Sequence, residues 1–348
     1  MLILDDTICA ISTPPGVGGI AVARVSGPEA IIICEKIWKA HKRLLDAPSH
    51  TCRVGAVTDS KGAELDQAVA TVFRAPHSFT GQDTVEISVH GSQWVQQELI
   101  TALIGAGARL AEPGEFTRRA FATGRIDLAQ AEGIADVIAS TSRAAQRIAL
   151  SQMRGHFSER LKQLRETLLE LASLLELELD FSEEDVSFAS RSKLIELATD
   201  VRDTTGRLAS GFATGEAIRN GIPVAIVGAT NAGKSSLLNA LTNDDRAIVS
   251  DIHGTTRDVV EDSITLGDYR LRLMDTAGIR PTDDPIESLG IERSQRALNA
   301  ASVILLVIDS SEGIGKSPIE QVREAMANNT NTRLIVALNK TDIARSDT

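Results

Sequence analysis

Residues 221–233, GIPVAIVGATNAG, pass from an almost unbroken apolar run into a glycine-punctuated loop, and KSSLLNAL follows with helical spacing. A short apolar run of this kind reads as a strand buried on both faces, as in a parallel sheet covered by helices. Gly228, Gly233, Lys234 and Ser235 fit GxxxxGK[ST] at the strand-to-helix junction that pattern requires. Loop amides and a helix N-terminus there cradle phosphate. Lys234 suits the β- and γ-phosphates of a nucleotide, and Ser235 suits Mg²⁺. Three more apolar runs end in polar motifs: RLRLMDTAG, ASVILLVIDS and TRLIVALNKTD. Together they predict an open, mostly parallel sheet with its site at the strand ends.

The motifs specify the ligand further. Asp275 closes one strand and is the expected Mg²⁺-side carboxylate, with Gly278 offering a bare amide beside a γ-phosphate. In GTTRD at 254–258, Thr256 is a candidate second Mg²⁺ ligand. In NKTD at 339–342, Asp342 can accept from both N1–H and the 2-amino group of guanine. Adenine lacks that donor pair, so the pattern selects GTP. One position is anomalous. Where Ras-like switches carry a water-orienting glutamine after DTAG, this chain has Ile279, which has no polar atom.

The rest of the chain has a different texture. Residues 1–118 mix glycine, proline and β-branched residues. AISTPPGVGGIAVARVSG reads as strand, turn, strand; AVATVFRAP and TVEISVHG read as strands; EAIIICEKIWKA and QWVQQELITALIGAG read as helices, the second stopped by glycine. That mixture predicts a compact α/β domain. From about 119 to 216 proline disappears and helical periodicity takes over. Leu161, Leu164, Leu168, Leu171 and Leu175 share one helix face, as in a bundle core. ELELDFSEEDVSF reads as an acidic solvated loop; Glu176, Glu178, Asp180, Glu183 and Glu184 match no metal-ligand template.

Composition removes some alternatives. Hydrophobic residues make up 43%, enough for real cores, and aromatics only 3%, which argues against extensive base stacking. The net charge of −11 argues against binding through bulk phosphate contacts, so any nucleic-acid contact should be local or shared. Cys9, Cys34 and Cys52 lack pairing or metal spacing and suggest reduced thiols in a cytoplasmic protein. The start lacks the features of a signal peptide, and VILLVI at 303–308 is far short of the ~20 residues of a membrane helix.

With these motifs in place, the chain resembles the MnmE (TrmE) family of tRNA-modification GTPases from residue 5 to its end. The blocks that carry the resemblance are DTICAISTPPGVGGIAVARVSGP, SFTGQDTVEISVHG, EPGEFTRRAFATGRIDLAQAEGIADVI and GATNAGKSSLLNAL. The resemblance implies a multidomain α/β and α architecture. It has a folate-binding and dimerisation domain at 1–118, the first half of a helical domain at 119–216, and an inserted Ras-like GTPase domain at 217–348. It implies a homodimer that joins an FAD- and NADH-using MnmG/GidA-like subunit in a heterotetramer. That complex modifies carbon 5 of the wobble uridine of certain tRNAs, adding aminomethyl or carboxymethylaminomethyl groups. The one-carbon source is a tetrahydrofolate, as the 5-formyl or 5,10-methylene species.

Residue by residue, the resemblance puts the folate contacts at Arg24, Glu86 and Arg125, the last often lysine in relatives. Nucleotide contacts fall on Asn231, Ala232, Gly233, Lys234, Ser235 and Ser236. They continue on Ser250, Asp251, Ile252, His253, Gly254, Thr255 and Thr256, on Asp275, Thr276, Ala277 and Gly278, and on Asn339, Lys340 and Asp342. Mg²⁺ falls to Ser235 and Thr256. A potassium ion in the place of an arginine finger falls to Asn231, Ser250, Ile252 and Thr255. Glu287, twelve residues after Asp275, takes over the water from the missing glutamine.

The chain ends at Thr348, soon after Asp342. The family pattern continues with a further strand and helix, an SA[KL]-type guanine loop, more helices and a cysteine-bearing tail. A C-terminally truncated member is therefore expected, with the leucine face of 161–175 partly uncovered, weakened GTP affinity and incomplete modification activity. Two other readings stay open: a regulatory or ribosome-assembly GTPase whose N-terminal part is an interaction module, and a glycine-cleavage-type folate protein fused to a switch. Folate binding separates the former from the family reading.

Overall fold

The computed structural model describes residues 5–180, 190–229, 231–245, 262–274, 296–311, 316–329 and 332–343. The chain divides into two compact units, Met1–Glu132 and Gly133–Thr348.

The first unit is built on a seven-stranded sheet. Its strands are β1 (Ile8–Ile11), β2 (Gly18–Ser26), β3 (Trp38–Lys39), β4 (Thr51–Thr58), β5 (Glu64–Phe73), β6 (Thr84–Gly91) and β7 (Arg109–Leu110). Their order is β3-β4-β5-β6-β2-β1-β7, antiparallel except for the β1–β7 pair. The strand–turn–strand predicted for residues 10–27 is the β1–β2 hairpin, whose first strand begins two residues earlier, at Ile8.

Period-2 alternation sorts this sheet's residues between two faces. Ala21, Ala23 and Val25 of β2, Ala68, Ala70 and Val72 of β5, and Val85, Ile87 and Val89 of β6 are buried in one core. Helices α1 (Ala30–Lys36) and α2 (Gln93–Ala106) complete it with Ile31, Ile33, Leu99 and Leu103. Arg24 falls between two core residues of β2 and is paired in register with Glu86, itself between Val85 and Ile87. Alternation thus carries both charges to the other face. Helix α2 ends at Gly107, whose φ of 121° is open to glycine and strained for other residues.

One reading of this unit changes. EAIIICEKIWKA is not one helix: α1 stops at Lys36, and Trp38–Lys39 pairs antiparallel with β4. The Trp38 ring lies directly over Gly55, so cross-strand packing overrides the helical periodicity. A third helix, α3 (Glu115–Ala122), follows β7.

The division between units falls within α4 (Leu128–Ala139). Helices α5 (Arg143–Met153), α6 (His156–Asp180) and α7 (Arg191–Asn220) follow. Of the leucine face on α6, Leu164 and Leu171 are half-buried while Leu161, Leu168 and Leu175 stay exposed. Helix α6 continues through Glu176, Glu178 and Asp180, where a loop was expected. Interleaved Leu and Glu are both strong helix formers, and the added charge does not interrupt them. Glu183 and Glu184 lie outside the described residues.

The second sheet has the order β12-β11-β8-β10-β9. Its strands are β8 (Ile222–Gly228), β9 (Asp262–Leu266), β10 (Tyr269–Met274), β11 (Val303–Asp309) and β12 (Arg333–Asn339). All pairs are parallel except β9–β10. Helices α8 (Lys234–Asp245) and α9 (Lys316–Asn328) belong to the same unit. Ala225 and Val227 enter one core cluster and Val224 and Ile226 another, so β8 is buried on both faces, as its unbroken apolar run predicts. The chain leaves central β8 for β9–β10 on one side and later returns to β11 on the other. That switch point opens a crevice at the carboxyl ends of the strands.

Candidate functional site

The phosphate loop lies at this switch point, at the carboxyl end of β8. It leaves β8 at Gly228 and enters α8 at Lys234. Asn231 has φ 63°, in the left-handed region where asparagine is among the better-tolerated residues. Gly233 has φ 97°, and a Cβ there would collide with the Asn339 amide nitrogen. Ala232 is buried beneath the loop, while Ser235 and Ser236 are exposed in the first turn of α8. Lys234 folds back over the loop, its Nζ donating to Gly228 O at 2.8 Å and Ala229 O at 2.7 Å. Burial lowers its pKa. The residue is a cation held by two carbonyls that an incoming phosphate can replace.

The guanine-type motif meets this loop directly. Asn339 Nδ2 donates to Ala232 O at 2.9 Å, across 107 residues of chain. Lys340 sits in the left-handed region at φ 57°, and its Nζ pairs with Asp309 Oδ2 at 2.6 Å. Lys340, together with Ser311, holds the Asp309 carboxyl at about 2, well below the usual carboxylate range. Asp342 is exposed in the turn beyond β12. Asp309 belongs to none of the nucleotide motifs above. Its signal was an acidic residue closing an apolar strand, VILLVID, in register with Asn339.

The structure therefore brings the loop residues Asn231, Ala232, Gly233, Lys234, Ser235 and Ser236 against Asn339, with Lys340 and Asp342 in the turn that follows it. Ser250, Asp251, Ile252, His253, Gly254, Thr255, Thr256, Asp275, Thr276, Ala277, Gly278 and Glu287 lie outside the described residues. Among the described residues no group of three or more His, Cys, Asp or Glu is arranged to hold a metal ion.

A second candidate site lies on the open face of the first unit's sheet. Arg24 Nε and Nη2 both reach Glu86 Oε1, at 2.9 and 2.8 Å. The Arg24 guanidinium also lies 5.4 Å from the Phe79 ring and 5.5 Å from the Phe116 ring, within cation–π range of both. Phe79 then lines a cavity of about 430 Å³ with Arg125, His50, Phe73, His77 and Ser78. Arg24 and Glu86 touch directly, and Arg125 joins them through Phe79. Both phenylalanines fall inside the SFTGQDTVEISVHG and EPGEFTRRAF blocks, but nothing in either block marks them as neighbours of Arg24, which they become only through folding.

A buried ionic cluster anchors this site. Arg119 is fully buried and donates to Asp6 Oδ1 at 2.5 Å, Asp6 O at 2.7 Å and Glu115 Oε1 at 3.0 Å. Arg109 donates to both Glu115 oxygens, at 2.7 and 3.1 Å. Burial alone would raise the Glu115 pKa, but bonds from Arg109, the Glu112 amide and Arg119 outweigh it and hold the carboxyl at about 2. Helix α3 is thereby fixed, and the turn bearing Arg125 is tied to it by Arg125 N→Ala120 O at 2.9 Å. Thr123 Oγ1 donates to Thr80 O at 2.8 Å, linking the same turn to the Phe79 loop.

The cysteines take no part in either site. Cys9 and Cys34 are buried and Cys52 is exposed, all three as free thiols. Burial pushes the Cys9 thiol up to about 11 and Cys34 higher still, which leaves both unreactive. Among the described residues, no helix is long and apolar enough to cross a membrane.

Comparison with known proteins covers both units. Residues 7–125 match the family model "GTP-binding protein TrmE N-terminus", and residues 223–340 match "50S ribosome-binding GTPase". The "tRNA modification GTPase MnmE" of Parabacteroides distasonis is 53% identical over 97% of this chain and 74% of its own length. That of Bacteroides thetaiotaomicron is 51% identical over 97% and 73%. That of Christiangramia forsetii is 48% identical over 97% and 73%.

Proposed function

Because this chain belongs to the MnmE family of tRNA modification GTPases, we propose that it binds and hydrolyses GTP in the service of tRNA modification. The observation that carries the reading is the Asn339–Ala232 bond. It sets a guanine-type motif against a phosphate-type loop, so both ends of one GTP molecule have a partner.

Lys234 exchanges the Gly228 and Ala229 carbonyls for the β- and γ-phosphates, whose charge offsets the burial that lowers its pKa. Asp342 reads the guanine edge. Ser235 and Thr256 supply hydroxyl oxygens for Mg²⁺. Asn231, Ser250, Ile252 and Thr255 supply amide, hydroxyl and carbonyl oxygens, hard donors that suit an alkali cation. The two cations, when bound, neutralise charge that develops on the phosphoryl oxygens. Glu287 accepts a hydrogen bond from the attacking water, the role Ile279 cannot fill.

In the first unit, the Arg24–Glu86 pair and the Arg125 cavity suit a reduced folate. Glu86 can accept from a pterin's donor edge, Phe79 offers a flat apolar face, and Arg125 can meet a carboxylate. The one-carbon unit, the homodimer and a flavin-dependent partner subunit belong to the same proposal, as does a cytoplasmic site of action.

The test compares GTP hydrolysis in KCl and in NaCl, for the wild-type chain and Glu287→Ala. Potassium is expected to raise the rate at least roughly tenfold, since the charge it replaces is worth ~10³–10⁵ in arginine-finger systems. Equal rates in the two salts, or an unaffected Glu287→Ala enzyme, would remove the mechanism. A ribosome-binding GTPase is the second reading, favoured by the name of the model that matches residues 223–340. It leaves Arg24, Glu86 and Arg125 without a shared ligand, so calorimetric binding of 5-formyltetrahydrofolate separates the two.

A further inference from the structure

Asp309 is a carboxylate only 5% exposed, at the end of β11, with no role in the chemistry above. A buried carboxylate needs partners, and both of its oxygens have them. Oδ1 accepts from Ser311 N at 2.9 Å and Ser311 Oγ at 2.6 Å, while Oδ2 meets Lys340 Nζ at 2.6 Å. Lys340 is in turn the hinge of the guanine-reading segment. It holds a left-handed φ of 57°, uncommon for a residue with a Cβ, and such backbones persist where surroundings over-determine them. Ile343 N closes the following turn onto Lys340 O at 3.1 Å, and Asp342 lies inside that turn. Ser310 N donates to Asn339 O at 3.0 Å, and Asp309 is the register partner of Asn339.

We propose that Asp309 is a positioning residue for guanine recognition: through Lys340 it holds the 339–343 turn in its reading conformation before nucleotide arrives. The inference rests on the GTP-binding reading of this site. The end of β11 forms one side of a two-point clamp, and the Asn339–Ala232 bond forms the other. Ordering the turn in advance spares the ligand that cost, and it aims Asp342 for two simultaneous hydrogen bonds. Loosening the turn should therefore harm recognition of the guanine 2-amino group more than it harms phosphate binding.

The experiment measures affinities for GDP and for IDP, which lacks the 2-amino group, in wild type, Asp309→Asn, Lys340→Met and the double variant. Asp309→Asn is expected to weaken GDP roughly tenfold and IDP much less, narrowing the GDP-to-IDP ratio. Lys340→Met should reproduce that narrowing, and the double variant should be no worse than the poorer single one. Lys340→Met leaves the Asp309–Ser311 bonds intact and keeps the test available if Asp309→Asn folds poorly. An unchanged ratio in folded Asp309→Asn or Lys340→Met, or strictly additive losses in the double variant, would overturn the inference. A wild-type chain with no affinity for GDP would instead sink the GTP-binding reading itself.

Discussion

Asn231, Gly233 and Lys234 fall within a single loop, and that loop offers phosphate mostly backbone groups. Arg24 and Glu86 stand 62 residues apart, on different strands, and offer a ligand only side chains. The nucleotide site depends on where the backbone can go: a glycine at φ 97° and an asparagine at φ 63°. The site on the first sheet depends on strand register and on a buried ionic cluster behind α3. A backbone-built site should be broken by adding atoms. A side-chain-built site should be broken by removing charge, and from further away.

The largest effect should come from the cluster. Arg119→Ala takes a fully buried guanidinium away from Asp6 and from Glu115, which is 2% exposed and keeps only Arg109 and the Glu112 amide on its oxygens. Breaking a buried ion pair from one side costs ~3–5 kcal/mol when the remaining charge is uncompensated; with Arg109 still on Glu115, urea unfolding of the N-terminal domain should shift by about 3 kcal/mol, the lower end of that range. A loss under ~1 kcal/mol would place the cluster with ordinary surface pairs. The same cluster sets an acid limit. Glu115 is held at about 2 against an ordinary 4.5. A depressed carboxylate stabilises the fold fully above its unfolded value, and that contribution is lost as pH falls from 4.5 toward 2. Glu115→Gln should be less stable at neutral pH and should lose less on acidification through that window.

Next in size is Gly233→Ala. Its new methyl group meets the Asn339 amide and strains a left-handed backbone. The loop must shift, and the Asn339–Ala232 bond with it. GTP affinity should fall by roughly 100-fold or more, in line with the loss of two or three hydrogen bonds to charged groups. Reduced-folate binding should not change. A variant that binds GTP normally would mean the loop is not shaped by this backbone.

Charge removal tests the other site. Arg24→Ala and Glu86→Gln should each weaken 5-formyltetrahydrofolate binding by roughly tenfold, and the double variant should lose less than the sum because the partners share one contact. GTP affinity should stay within a factor of two. Strict additivity would mean that the two side chains meet the ligand separately.

This contrast also explains what the amino-acid sequence revealed. A loop whose neighbours in space are neighbours in sequence leaves a spacing, so Gly228, Gly233, Lys234 and Ser235 were readable without a structure. The buried run of β8 was readable for the same local reason. Arg24, Glu86 and Arg125 came only through family resemblance, since register across β2 and β6 leaves no motif in either strand. Phe79 and Phe116 meet Arg24 only through folding, and Asp309, though it closes an apolar strand, gains its meaning from Lys340, 31 residues on. Two local readings also failed: Trp38 left a helical pattern to pair with β4, and Glu176–Asp180 stayed helical despite their charge.

The smallest expected effect lies between the two kinds of construction. Ser142 caps α5 with a side chain that acts on neighbouring backbone: its Oγ accepts from Ala145 N at 3.2 Å. The same turn docks on the β9–β10 hairpin through Ala144 N→Asp268 O at 2.9 Å and Arg270 Nη1→Thr141 Oγ1 at 2.9 Å. Ser142→Ala removes one acceptor from a helix start but leaves both docking bonds, so it should cost about 1 kcal/mol of stability. Thermal unfolding checks the magnitude, and the two ligand affinities check the location: neither GTP nor folate binding should move. If GTP affinity fell along with stability, the nucleotide site would depend on the helices packed beside its sheet, and backbone geometry at the strand ends would no longer account for it alone.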